Sequence, residues 1–250
     1  MNTLTETTST LEKKSVLEAR NVRKSFPDRS SGSAPGARLE VLRGVEFSVH
    51  AGESVAIMGR SGCGKSTLLA CLSGLDAVTE GEIWVQGQNF SQLLREASGA
   101  DANRFRAQNI GVVFQQFQLL DHLTALENVR LPLDLAGLPS AQADRRAFEQ
   151  LRRVGLSERA DHFPDKLSRG ECQRVAIARV LATGCPIVLA DEPTGSLDQN
   201  TGEQVMDLLF ATTRESGVAL VLVTHDPQLA QRCDRRYAMR EGRLEAEAPR

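Results

Sequence analysis

The chain has 250 residues, long enough for one large domain or for a domain carrying an insertion. Hydrophobic residues make up 41%, which excludes a wholly disordered polypeptide. Lys plus Arg number 30 against 32 Asp plus Glu, a net charge of -2, which argues against a surface that binds nucleic acid all over and leaves room only for a local basic patch.

Residues 1–14 read as a flexible tail, rich in Thr and Ser and without the apolar centre of a signal peptide. No apolar run reaches the 18 or so residues of a membrane span, so the chain is expected in the cytosol. Ser15 to Phe26 is strand-like, and Pro27 to Gly36 is a loop by composition. Leu39 to His50 reads as a second strand, with Val41, Val45, Phe47 and Val49 mostly alternating. Ser54 to Met58 is a short strand of the kind buried on both faces. Lys65 to Leu75 reads as a helix, and Gly81 to Gly87 as another strand.

From about Gln92 to Leu181 the texture is helical, with Ala147, Phe148, Leu151 and Val154 at helical spacing and Gly155 as a stop. After Cys185 the pattern returns to strand (Ile187 to Ala190), helix (Thr201 to Glu215), strand (Val218 to Val223) and helix (Pro227 to Arg232). The expected organisation is one α/β domain over 15–250. Its core spans about 15–92 and 182–250, and a helical insertion spans about 93–181. Five cysteines, an odd number without CxxC spacing, read as free thiols.

Gly59-Arg60-Ser61-Gly62-Cys63-Gly64-Lys65-Ser66 matches G-x-x-x-x-G-K-[ST] between a strand and a helix. Glycines let the backbone close round phosphates with its N–H groups inward, and the helix start adds its positive end. Lys65 is placed for the β and γ phosphates, the Ser66 hydroxyl for Mg²⁺, and Thr67 for the α phosphate. Cys63 has the helix-start position that lowers a thiol pKa, but a small residue that fits the turn is the simpler reading.

Ile187 to Ala190 runs into Asp191 and Glu192. Carboxylates at the end of a parallel strand face the ligand side of the sheet. Asp191 suits Mg²⁺, and Glu192 suits a general base for water. His225 follows the next core strand and is placed to bond a γ phosphate. His50, His122 and His162 lack such a position and read as surface or capping residues.

Between these halves, Leu167-Ser168-Arg169-Gly170-Glu171 precedes the helix Cys172-Gln173-Arg174-Val175-Ala176-Ile177-Ala178-Arg179-Val180-Leu181. This segment resembles the LSGGQ signature of ATP-binding cassette (ABC) proteins. Phe114-Gln115 resembles the Q-loop, Asp191 to Asp198 resembles Walker B running into the D-loop, and His225 resembles the switch histidine. Phe26 lies where an adenine-stacking aromatic is expected. The resemblance covers about residues 15 to 245. The stretches Leu119 to Val129 and Ala190 to Asp198, with Glu171, resemble the LolD/MacB/YbbA group.

The resemblance implies a P-loop NTPase of the ABC-ATPase fold, with a mixed sheet and an inserted helical subdomain. It implies ATP and Mg²⁺ as ligands and a head-to-tail homodimer with two ATP molecules between subunits. Ser168, Gly170 and Glu171 of one chain would then complete the site of the other, and Asp198 would couple the two. Gln115 would touch Mg²⁺ and the attacking water. The motor would serve a separate integral-membrane permease of the lipoprotein-release or macrolide-export type, on the cytoplasmic face of the membrane. Contact is expected on the helical insertion near Gln115 to Val129, where Phe117, Leu119 and Leu120 cluster.

Arg169 departs from the pattern, replacing the first signature glycine. It would be strained if that position needs positive φ and harmless if the backbone is helical; the expectation is tolerance with a modest change in ATP affinity. A soluble ABC ATPase acting on nucleic acid or ribosomes is the rival reading, although such proteins usually carry long coiled-coil insertions or two cassettes. A P-loop kinase has no use for the signature segment. No direct nucleic-acid partner is expected.

Overall fold

The computed structural model describes residues 15–28, 36–96 and 99–247. The tail expected over 1–14 and most of the loop expected over 27–36 lie outside them. In chain order come β1 (Ser15–Pro27), β2 (Arg38–His50), β3 (Ser54–Met58), α1 (Lys65–Leu72), β4 (Glu80–Val85), β5 (Gln88–Asn89), α2 (Phe90–Glu96), α3 (Gly99–Asn109), β6 (Ile110–Val113), α4 (Ala125–Leu135), α5 (Ser140–Arg153), α6 (Arg169–Thr183), β7 (Ile187–Asp191), α7 (Gln199–Glu215), β8 (Ala219–Thr224), α8 (Pro227–Gln231), β9 (Arg235–Arg240) and β10 (Arg243–Ala246).

Two sheets form. An antiparallel one has the order β2-β1-β4-β5, and a six-stranded one has the order β10-β9-β3-β8-β7-β6. In the second sheet β9, β3, β8, β7 and β6 are parallel, and β10 closes the edge as an antiparallel hairpin. The expected mixed α/β fold is therefore present.

The central strands are apolar throughout because both of their faces are covered. Val55, Ile57, Leu189, Val221 and Val223 point into one core, shared with α1 and the antiparallel sheet. The alternate residues Ala56, Val188, Ala190, Leu220 and Leu222 point into a second core, with Val205, Met206 and Leu209 of α7. A third core joins α4, α5 and α6 through Val129, Leu133, Ala147, Leu151 and Val175. Helix α6 belongs to two of these: Ile177, Val180 and Leu181 meet the sheet, while Val175, Ala178 and Ala182 meet α4 and α5. It is the structural seam between the sheet and the helical part.

One expectation needs correction, and two features add to the sequence reading. The stretch expected to be helical over 93–181 contains β6, a strand of the main sheet paired with β7. Its Gly111 is required by packing, since a Cβ there would lie 2.2 Å from Val180 Cγ1 on α6. The hairpin β9–β10 was not expected, because Arg235, Arg236, Arg240 and Arg243 mask the buried alternation of Tyr237 and Met239. Phe148 keeps helical spacing in α5 but is exposed, whereas Ala143, Ala147 and Leu151 are buried. All five cysteines are free. Burial pushes the Cys71 thiol up to about 11 and the Cys233 thiol up to about 12, as expected of protonated core residues.

Candidate nucleotide site

The site lies at the carboxyl ends of β3, β7 and β8, where a parallel sheet receives its ligands. A cleft of about 500 Å³ is lined by Gly59, Arg60, Ser61, Gly62, Gly64, Lys65, Ser66, Thr67, Gln115, Asp191, Glu192 and His225, together with Val41. Residues from five separate stretches of sequence thus share one concavity, of a size usual for small-molecule sites.

The loop between β3 and α1 turns through Gly62 (φ 79°) and Gly64 (φ 108°), conformations that favour glycine. Gly59 is demanded by space: a Cβ there would lie 2.6 Å from both the Met239 carbonyl oxygen and Cys63 Sγ. Helix α1 begins at Lys65 with Gly64 as its N-cap, and no side chain caps it. Its first N–H groups are left to an anionic ligand. The Lys65 ammonium is buried and donates to the carbonyls of Gly59 (2.8 Å) and Arg60 (3.0 Å), which holds it at the mouth of the loop.

Asp191 ends β7 and accepts the Ser66 hydroxyl. Burial pushes its carboxyl up, the Ser66 hydrogen bond pulls it down, Glu192 adds an upward push and Lys65 a downward one; the net direction is up. The next residue leaves the strand sharply. Glu192 has φ 43°, its N–H donates to the Val223 carbonyl (2.9 Å), and its own carbonyl accepts the Gly195 N–H (2.9 Å). A left-handed backbone at a non-glycine residue costs about 1–3 kcal/mol and persists where the surroundings over-determine it. Here it turns the carboxylate into the cleft, where His225 Nδ1 stands 3.3 Å from Glu192 Oε2.

Gln115 reaches the cleft from the loop after β6, and that loop is held by other elements. The Gln173 amide of α6 donates to the Phe114 carbonyl (3.2 Å), and the Arg179 guanidinium donates to the carbonyls of Gln118 (2.6 Å) and Phe117 (3.0 Å). Burial pulls the Arg179 pKa down. Asn128 of α4 bonds both the N–H and the carbonyl of Leu120.

Several expected residues lie elsewhere. Ser168 is the N-cap of α6: its hydroxyl accepts the Glu171 N–H, and the Glu171 carboxylate accepts the Ser168 N–H. Asp198 caps α7 by accepting the Thr201 N–H. The two helix starts meet, since a Cβ on Gly170 would lie 2.3 Å from Thr201 Cγ2. None of Ser168, Gly170, Glu171 and Asp198 lines the nucleotide cleft of its own chain. Neither does the Cys63 side chain, which packs toward the core. Phe26 also lies off the cleft, with the Lys24 ammonium 4.9 Å from its ring centre. Arg169 is the first residue of α6 and has no positive φ, so the strain considered for it does not arise.

Three contributors escape sequence reasoning. Val41 lines the cleft from β2, Met239 backs Gly59, and Gly242 donates its N–H to the Cys63 carbonyl (3.2 Å). The last two belong to the unexpected hairpin, whose only sequence signal is the Tyr237–Met239 alternation.

A phosphate loop on α1, an acidic pair ending β7 and a histidine after β8 define a P-loop nucleotide hydrolase. The family model described as ABC transporter matches residues 42–195, and the chain belongs to that family. It is 48% identical over 210 residues to the ABC transporter ATP-binding protein YbbA of Escherichia coli K12, covering 84% of this chain and 90% of that one. It is 42% identical over 234 residues to the macrolide export ATP-binding/permease protein MacB of the same organism, covering 94% of this chain and 34% of MacB. Among solved structures, the dimeric cassette MJ0796 superposes with a TM-score of 0.82 at 38% identity, covering 94% of this chain and 99% of that one. The same cassette in a post-hydrolysis dimer bound to ADP and Pi gives 0.81. The chain is an ATP-binding, ATP-hydrolysing cassette of the MacB/YbbA type. Among the described residues no helix is long and apolar enough to cross a membrane.

Proposed function

We propose that the protein is the motor subunit of a membrane transporter, hydrolysing ATP between two copies of itself to drive a separate integral-membrane permease of the lipoprotein-release or macrolide-export type. The observation that carries this reading is the split of the site. Gly59 to Thr67, Gln115, Asp191, Glu192 and His225 share a cleft, while Ser168, Gly170, Glu171 and Asp198 are displayed away from it on capped helix starts. A second copy facing the first would bring the two sets together. The dimeric form of the MJ0796 cassette supports that arrangement.

Glu192 is the general base that takes a proton from the attacking water, with His225 beside its carboxylate. Lys65 and the free N–H groups of the loop hold the phosphates, and Gln115 orients the water. Ser66, Asp191 and Gln115 offer oxygen ligands in one cleft, a donor set that fits Mg²⁺ held jointly with phosphate oxygens. Bound there, Mg²⁺ would supply neutralisation of phosphate charge. Phe26, off the cleft, remains a proposed adenine contact from the edge of β1.

A membrane partner is supported by MacB, whose name joins ATP-binding and permease functions in one chain. With such a partner the subunit would sit on the cytoplasmic face of the membrane. Leu120 is exposed at the end of the Gln115 loop, while Leu119 packs into the helical core, so the proposed permease contact narrows to Leu120 and its neighbours. The rival reading, a soluble ATPase acting on nucleic acid or ribosomes, has no comparable support.

The test is Glu192→Gln. The variant is expected to bind ATP, to sediment as a dimer only with ATP and magnesium, and to hydrolyse at least about 100-fold more slowly. A strict monomer under saturating nucleotide, with or without the membrane partner, overturns the sandwich. Wild-type turnover removes Glu192 from the chemistry.

A further inference from the structure

Arg169 is the side chain that the family pattern lacks, and its position gives it a partner. From the first turn of α6 its Nη1 donates to the Ser196 carbonyl at 3.2 Å. Ser196 lies in the turn between Glu192 and Asp198. That turn is closed by its own backbone bonds, Gly195 N–H to Glu192 carbonyl (2.9 Å) and Leu197 N–H to Thr194 carbonyl (3.0 Å). The Ser196 hydroxyl in turn donates to the Gln115 carbonyl at 3.2 Å. The Gln115 side chain lies against the same turn: a Cβ on Gly195 would stand 2.7 Å from Gln115 Nε2. One guanidinium therefore reaches, through a single residue, the loop that carries Gln115 and the turn that starts at Glu192.

We infer that Arg169 is a positioning residue for hydrolysis: it pins Ser196, and the Ser196 hydroxyl sets the height of Gln115 over the site of water attack. This rests on the roles proposed above for Gln115 and Glu192. Orientation of a reacting water is sensitive to small displacements of the group that holds it, so a looser turn costs turnover before it costs ATP binding. A glycine at 169 has no donor to offer the Ser196 carbonyl. Removing the guanidinium leaves the local fold in place, because the Ser168–Glu171 capping box and the Gly170–Thr201 contact do not involve it. An exposed arginine that instead held a phosphate of the facing copy would act on ATP affinity, and that distinction decides the test.

Steady-state hydrolysis by the full chain is measured for Arg169→Ala, Ser196→Ala, the double variant, Arg169→Lys and Gln115→Ala. Each of the first two is expected to lower kcat about 3- to 5-fold with the ATP KM within about twofold, and the double variant to fall no further than the worse single one, because residues acting through one another are not additive. Arg169→Lys, which keeps a donor, is expected to recover half or more of the lost kcat, roughly twofold. Multiplicative losses in the double variant overturn the relay. Unchanged kcat with a raised KM overturns it in favour of phosphate binding. If Gln115→Ala keeps full kcat, the water-positioning reading of Gln115 fails. If Gln115→Ala is impaired while Arg169→Ala turns over like wild type, the inference on Arg169 fails alone.

Discussion

Two helix starts in this molecule are built in opposite ways. Helix α1 begins behind a glycine that has no side chain to cap it, and the first N–H groups face a cleft with Lys65 across its mouth. Helix α6 begins behind Ser168, which forms a complete capping box with Glu171. The first start carries no side-chain cap and is open to a ligand; the second is capped within its own chain, Ser168 taking the Glu171 N–H, and presents an exposed surface. Under the proposed arrangement the contrast assigns ATP to the α1 side, and the α6 side would add to a site only when another copy faces it. The α1 side sits on the main sheet beside the left-handed Glu192, while α6 is a seam packed into two cores.

The largest effect expected from breaking this contrast is a complementation between chains. Lys65→Ala disables the α1 side and Ser168→Arg disables the α6 side, and each variant alone should lose at least about 100-fold in hydrolysis. Mixed together they form some dimers with one intact site, so activity should reappear. A mixture as dead as its components would show that the two sides do not meet across copies.

A smaller effect sharpens the α1 side. Gly59→Ala forces a Cβ against the Met239 carbonyl, and the loop must shift away from the hairpin that backs it. ATP affinity should fall about tenfold, or ~1.4 kcal/mol, in a fluorescent-nucleotide titration. Unchanged affinity would mean that the loop is not braced by β9.

The smallest effect sharpens the α6 side. The Ser168 N–H bond holds the Glu171 carboxyl below its ordinary range, with the Ser168 hydroxyl and Arg159 helping and burial opposing. A carboxylate with a depressed folded-state pKa stabilises the fold above its unfolded value and loses that contribution as pH falls through the folded one. Glu171→Gln should therefore lower Tm by about 1–3 °C at pH 7, with the difference shrinking below pH ~4.5. A constant difference across that range would remove the ionised cap from the account.

Much of this was legible in the residues. The strand–loop–helix round Gly59 to Ser66, the acidic pair after Ile187 to Ala190 and the histidine after β8 each announce themselves locally, because phosphate binding needs glycines, a lysine and a helix start at fixed spacing. Strand β6 was less legible: four residues, one of them a glycine placed there only because α6 packs on it, leave little periodicity to read. The hairpin β9–β10 hid behind arginines that face outward.

Residue order alone settled that the chain binds and cleaves a nucleotide, since those parts lie within short motifs whose chemistry is carried by residue type and spacing. Only the three-dimensional arrangement decided which of them share a cleft. It put Phe26 and the Cys63 side chain off the cleft, placed Arg169 on a helix without strain, and aimed its guanidinium at Ser196. Those outcomes depend on contacts between segments tens of residues apart, where close packing of α6 on the sheet and on α7, and not local propensity, sets the geometry.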